Sequence, residues 1–188
     1  MLLPIVAYGH PTLKKVATDI TKDYPELDKL IANMWETMYE AKGVGLAAPQ
    51  VNKPIRLFIV DADSFNEEYP QVEGFKKVFI NAHILEETGD EWLFSEGCLS
   101  IPGINEEVSR KSQIVITYLD ENFEPHTETY DGIVARIIQH EYDHIDGKLF
   151  VDRLTHFRKI LLKGKLSDIS MGKVDITYKM IFPGLRKR

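Results

Sequence analysis

From Leu27 onward apolar side chains recur at offsets of three and four, at Leu27, Leu30, Ile31, Met34 and Met38, behind the polar opening Thr21-Lys-Asp-Tyr-Pro-Glu. That spacing predicts an amphipathic helix ending near Lys42-Gly43, where glycine permits the C-terminal turn. The period then shortens. Arg56-Leu-Phe-Ile-Val60 and Lys77-Val-Phe-Ile80 are runs of β-branched and aromatic residues and read as strands, with the acidic stretch from Asp61 to Gly74 as a surface loop between them. Gln113-Ile-Val-Ile-Thr-Tyr-Leu119 is a further strand, Asp120-Glu-Asn122 its turn, and His126 to Tyr130 its hairpin partner. Ile133, Val134, Ile137 and Ile138 restore helical spacing up to about Ile145, with Asp131 as a cap and Gly147 beyond the end. Leu154 to Leu162 reads as helix. Val174 to Phe182 alternates apolar with polar and reads as a strand closed by Pro183-Gly184. No repeat or linker interrupts the chain, so residues 1–188 are expected to form one domain. Helices and strands do not alternate as βαβ units, which predicts an α+β class, with mostly antiparallel sheets packed around the second helix and a short β-type C-terminus.

Composition narrows the class without naming a function. Hydrophobic residues make up 44% and charged residues 28% of the 188, the balance of a globular chain rather than a disordered or fibrous one. The one cysteine, Cys98, excludes a disulfide framework within the chain. No apolar run approaches the ~20 residues of a membrane span, and Met1 to Ala7 lacks the basic flank of a signal peptide, so a cytoplasmic setting is expected. The net charge of −6 hides an asymmetry: residues 1–153 hold 14 basic and 27 acidic side chains, residues 154–188 hold 9 and 2. The basic end is either a solvated amphipathic face or a contact with a polyanion.

His140-Glu-Tyr-Asp-His144 is an H-E-x-x-H sequence. On a helix its two histidines share one face with Cβ atoms about 5–6 Å apart, and two imidazoles so placed can close on one cation. Chance supplies such a match in a chain of this composition only about 1–2% of the time. Glu141 is one residue round the helix, within reach of a water beside the cation but not needed as a ligand. An open catalytic site still wants a third protein ligand. Asp152 and His156 lie downstream, and Cys98 lies in the loop-like Glu96-Gly-Cys-Leu-Ser100; a thiolate there would give a Cys-His-His set with one position left open.

Gly43-Val-Gly-Leu-Ala-Ala-Pro-Gln50, Glu96-Gly-Cys-Leu-Ser100 and Gln139-His-Glu-Tyr-Asp-His144 resemble, in order and spacing, the three signature motifs of the peptide deformylases. Tyr8-Gly-His-Pro-Thr-Leu13 and Gly147-Lys-Leu-Phe150 fit as well, so the resemblance covers nearly the whole chain. It implies a metal-dependent hydrolase that removes the N-formyl group from the initiator methionine of newly made proteins, releasing formate. Cys98, His140 and His144 would hold one divalent metal, Fe²⁺ as the native ion with Zn²⁺, Ni²⁺ or Co²⁺ as substitutes, all compatible with this mixed donor set. Glu141 would shuttle the proton, and the Gln50 side chain with the Leu99 backbone N–H would stabilise the oxyanion. Gly43, Val44, Gly45 and Gly97 would line the peptide's path, with Ile133 and Ile137 as walls of the methionine pocket. Glu96 and Arg110 would brace the Cys98 loop as a buried pair.

Two features depart from the family pattern. Arg136 stands where an aliphatic residue often borders the pocket, and the chain's end looks like the β-type branch rather than the helical-tail form. The implied partners are N-formyl-methionyl nascent peptides, with a ribosome contact through the basic C-terminal region, no membrane and no sequence-specific nucleic acid. The rival readings are an H-E-x-x-H metallopeptidase, which the Cys98 motif disfavours, and a non-catalytic metal-binding, ribosome-associated protein, which intact Glu141 and Gln50 disfavour.

Overall fold

Leu57-Phe-Ile-Val60 is continuously apolar because both of its faces are covered. Phe58 and Val60 point into one core and Leu57 and Ile59 into another, the two-residue alternation of a strand buried on both sides. In the computed structural model, which describes residues 1–185, the chain runs β1 (Ile5–Val6), α1 (Leu27–Glu40), β2 (Gly45–Ala47), β3 (Leu57–Asp61), β4 (Lys76–Cys98), β5 (Ile101–Leu119), β6 (Pro125–Asp131), α2 (Gly132–Ile145), α3 (His156–Ser170) and β7 (Met180–Ile181). Strands β2 to β6 form one antiparallel sheet in sequence order, and β1 pairs with β7 in parallel. The class is α+β.

One face of the sheet carries α2, whose Ile133, Ala135, Ile137 and Ile138 pack with Phe58, Phe79 and Ile116. The other carries α1 through Leu30, Ile31, Met34 and Met38. A third cluster joins the tip of the β4–β5 hairpin, through Ile101, Ile104 and Val108, to Leu162, Leu166 and Ile169 of α3. The β4–β5 hairpin shifts register four times, at Ile80/His83, Ile84/Glu86, Thr88/Glu91 and Glu96/Cys98. Such irregularities bend a strand and re-aim side chains, and the last of them lies at Cys98.

Several expectations are corrected. The left-handed residue at the end of α1 is Lys42 (φ 56°), not Gly43; Gly43 has another reason to be glycine, given below. Asp131 occupies the N-cap position of α2 but its side chain makes no capping hydrogen bond. Gly147 does follow α2 in the left-handed region (φ 71°), where a Cβ would stand 2.8 Å from the Lys14 carbonyl. Strands β4 and β5 extend through the stretch between residues 81 and 112, where charged residues interrupt the apolar ones and no strand was expected. Of the predicted strand from Val174 to Phe182 only Met180–Ile181 is strand, and the residues before it run as irregular chain along the cleft described next.

Candidate metal centre

Helix α2 is buried on nearly all sides, yet Arg136, Gln139, Glu141, Asp143 and His144 are among its buried residues. Burying so much polar surface costs free energy unless each group is paired or used, and the pairing radiates from Glu96 at the end of β4. Its carboxylate accepts from Arg110 Nε and Nη2 at 2.7 and 2.9 Å, from Arg136 Nη1 at 2.9 Å and from His140 Nδ1 at 2.8 Å. Arg110 continues to Asp143 at 2.8 Å, and Asp143 accepts twice from Arg153, each at 2.6 Å. Burial opposes the charge on Glu96, but its hydrogen bonds to Arg110 and His140 outweigh burial and hold it well below the usual carboxylate range. The expected Glu96–Arg110 pair is present, and its effect is to fix the His140 ring with Nδ1 engaged, leaving Nε2 for the centre.

His144 lies one turn further along α2, its ring centroid 5.2 Å from that of His140, and its Nε2 is 3.4 Å from Cys98 Sγ. One donor atom from each of Cys98, His140 and His144 falls within 4.8 Å of the other two. Asp152 and His156 stand outside this cluster; Asp152 is taken up by Lys14 Nζ at 2.5 Å and the Leu149 N–H at 2.8 Å. Burial, with His140 beside it, pushes His144 down to about 3, so its ring is neutral and offers a lone pair. A thiol and two imidazoles at this separation suit a borderline divalent cation. Glu141 sits beside the cluster with Oε2 unpartnered, and burial pushes its carboxyl up to about 7. A buried carboxylate oxygen without a donor, next to three metal-type donors, fits a site completed by a cation and water.

Gln50, 1% exposed in a 3-10 turn after β2, is oriented by its own backbone: Oε1 accepts from the Ala47 N–H at 2.8 Å. Nε2 is thereby aimed at Ser100 Oγ (3.3 Å) and Cys98 Sγ (3.5 Å). The glycines leave room for neighbouring side chains. A Cβ on Gly45 would press on the Glu141 carboxylate, one on Gly43 would stand 2.8 Å from Leu99 Cδ1, and one on Gly97 would collide with Asn105 Oδ1.

These groups surround a cleft of about 550 Å³, lined by Gly43, Val44, Gly45, Gln50, Gly97, Cys98, Leu99, Ile137, His140 and Glu141. Ile133, expected on its wall, lies one helical turn away in the core, 1% exposed. Arg136 does border the cleft, as its position in the family pattern suggests, but as a buried side chain. It is 2% exposed, donates to the Val108 and Trp92 carbonyls at 2.9 and 2.6 Å, and lies over the Trp92 ring at 4.5 Å. Phe65, Phe94 and Tyr178 also line the cleft and were not anticipated. Phe65 lay in the segment read as a surface loop, and Tyr178 in the segment read as a strand. The Asp143–Arg153 link had no sequence signal, because an acidic residue in an amphipathic helix ordinarily faces solvent.

A family profile described as polypeptide deformylase matches residues 2–159. This chain belongs to that family. Among relatives, the peptide deformylase of Christiangramia forsetii is 58% identical over 100% of this chain and 99% of its own, and that of Flavobacterium psychrophilum 58% identical over 96% of each. The solved peptide deformylase of Legionella pneumophila superposes with a TM-score of 0.80 at 34% identity, covering 92% of this chain and 98% of that one. The deformylase is thus a metal-dependent hydrolase acting on formylated N-terminal peptides and removing the N-formyl group from methionine; enzymes of the family bind one divalent metal, for which Cys98, His140 and His144 are the candidate site here. Among the described residues, no helix is long and apolar enough to cross a membrane.

Proposed function

We propose that α2, as the central helix carrying the H-E-x-x-H motif, and the Cys98 loop hold Fe²⁺ as the native ion through Cys98, His140 and His144, and that residues 1–188 act as one catalytic domain. The observation that carries this reading is the cluster of those three donors beside the unpartnered carboxylate of Glu141. When bound, a divalent ion supplies Lewis acidity that polarises the formyl carbonyl and makes water nucleophilic near neutral pH. Glu141 takes the proton of the attacking water and delivers it to the leaving amine. Gln50 Nε2, fixed by the Oε1 contact to Ala47, and the Leu99 N–H donate to the formyl oxygen as negative charge develops on it. Gly43, Val44 and Gly45 let an extended peptide approach β2, Gly97 leaves room beside Cys98, and Ile137 borders the methionine side chain. Ile133 supports Ile137 from the core.

The setting is cytoplasmic, where substrates are nascent chains, and the basic C-terminal region contacts the ribosome. In its support, the described residues Lys163 and Lys165 of α3 make no ion pair, while Arg158 is engaged by Glu106 and Lys173 by Asp168. Arg186, Lys187 and Arg188 of the same basic stretch lie outside the described residues.

Anaerobic purification, metal analysis and formate release from formyl-Met-Ala-Ser test the assignment of roles. Glu141→Ala should retain the ion while losing most of kcat, whereas Cys98→Ser should lose both ion and activity. Metal loss in Glu141→Ala would make it a ligand, and full occupancy and rate in Cys98→Ser would place the third ligand elsewhere.

A further inference from the structure

The irregular chain ahead of β7 closes one side of the cleft: Asp175, Ile176, Thr177 and Tyr178 all line it. Tyr178 does more than fill space. Its hydroxyl donates to the Leu99 carbonyl at 2.8 Å, although the two residues are 79 positions apart. Leu99 and Ser100 form the tight turn between β4 and β5, where Cys98 pairs with Ile101. That turn is held from three distant places: the Tyr8 N–H bonds the Ser100 carbonyl at 2.9 Å, Gln50 bonds the Ser100 hydroxyl, and Tyr178 bonds Leu99. Tyr178 is itself anchored just downstream, where the Lys179 and Ile181 carbonyls accept from the Ile5 and Ala7 N–H groups, both at 2.9 Å.

We propose that Tyr178 is a positioning residue for deformylation, its hydroxyl holding the Leu99 carbonyl so that the Leu99 N–H stays aimed at the formyl oxygen. This rests on the Leu99 N–H serving as an oxyanion donor, as proposed above. The two peptide planes flanking Leu99 are the ones that matter, because each residue has only two soft backbone dihedrals. The plane bearing the Leu99 N–H is shared with Cys98, whose sulfur is committed to the metal cluster. The plane bearing the Leu99 carbonyl is shared with Ser100 and is the one Tyr178 grips. With both ends held, the N–H direction is set before substrate arrives, and a preorganised donor of this kind acts on the transition state rather than on ground-state binding.

The test is Tyr178→Phe, which removes the hydroxyl and keeps the ring, assayed by formate release at saturating and limiting formyl-Met-Ala-Ser on metal-loaded enzyme. The expected result is a fall in kcat of about tenfold, the scale of one neutral hydrogen bond, with KM, metal content and thermal midpoint close to those of the parent. Tyr178→Leu, which also removes the ring, separates packing from hydrogen bonding. A loss of kcat confined to Tyr178→Leu, or a Tyr178→Phe whose change lies in KM or metal content, overturns the proposal. Gln50→Ala in the same assay keeps the two readings apart. A slow Gln50→Ala beside a fully active Tyr178→Phe defeats the role of Tyr178 alone, whereas full activity in both defeats the oxyanion assignment itself.

Discussion

Replacing Gly45 by alanine puts one methyl group where the structure has no room for it. A Cβ there would stand 2.7 Å from Glu141 Cγ and Cδ and closer still to Oε1. Reaching an ordinary contact of 3.4 Å requires a shift of about 0.7 Å from the two carbons and about 1 Å from Oε1. Gly45 is buried on the edge strand β2 and pairs with Val60 of β3, so its backbone is held on that side and the Glu141 carboxylate must yield. Displacing a catalytic group by about 1 Å costs on the order of 100-fold in rate, while overpacking of this size costs about 1–3 kcal/mol in stability. Gly45→Ala is therefore expected to fold, with a thermal midpoint lowered by several degrees, to bind its metal ion, and to release formate from formyl-Met-Ala-Ser with kcat reduced about 100-fold. Metal content separates this from damage to the ligand set, since the three atoms nearest the new methyl group all belong to Glu141. A kcat within threefold of the parent would refute the reasoning, because it would mean either that Glu141 moves without consequence or that it is not the proton carrier.

Three further outcomes follow from the charges. Glu96→Gln leaves the buried Arg110 and Arg136 without their shared carboxylate and frees the His140 ring, so urea unfolding should show a loss of about 3–5 kcal/mol; a loss below 1 kcal/mol would make the network incidental. Glu128 gives a pH-dependent outcome: burial would raise its carboxyl, but hydrogen bonds from Lys77, Tyr118 and Tyr130 hold it down to about 2. Since the folded value lies below the ordinary 4.5, its stabilisation is complete above about pH 4.5 and is lost as pH falls through about 2. The gap in thermal midpoint between the parent and Glu128→Gln should shrink across that window, and a constant gap would refute the assignment. Ribosome co-sedimentation should weaken steeply with added salt and on truncation after Gly184, with hydrolysis of a free formyl-peptide unchanged; equal co-sedimentation by the truncated chain would remove the basic tail as a contact.

The sequence by itself determined what depends on local spacing. Helix α1 was legible because Leu27 to Met38 repeat at the helical period, β3 because it is an unbroken apolar run, and α2 because periodicity and the His140–His144 interval point to the same helix. The candidate donor set was legible for a related reason: two histidines one turn apart need no tertiary information to share a face, and the loop setting of Cys98, with the motif resemblance, pointed to it as the third. Tertiary structure decided what depends on a partner distant in the chain. The charged stretch of β4 is strand because β5 pairs with it backbone to backbone, and a ladder of amide hydrogen bonds does not require apolar side chains. The Val174–Phe182 alternation yields only two strand residues because β1 offers only Ile5 and Val6 to pair with, and the preceding residues are held at the cleft. Arg136 reads as an anomaly in the sequence and is a buried partner of Glu96 in the fold, 40 positions away. Ile133 and Ile137 carry the same apolar signal and join the same core cluster, and only the packing of α2 on the sheet also brings Ile137 to the cleft. Periodicity reports that a face is buried, whereas what it is buried against is set by contacts that close only when the whole chain has folded.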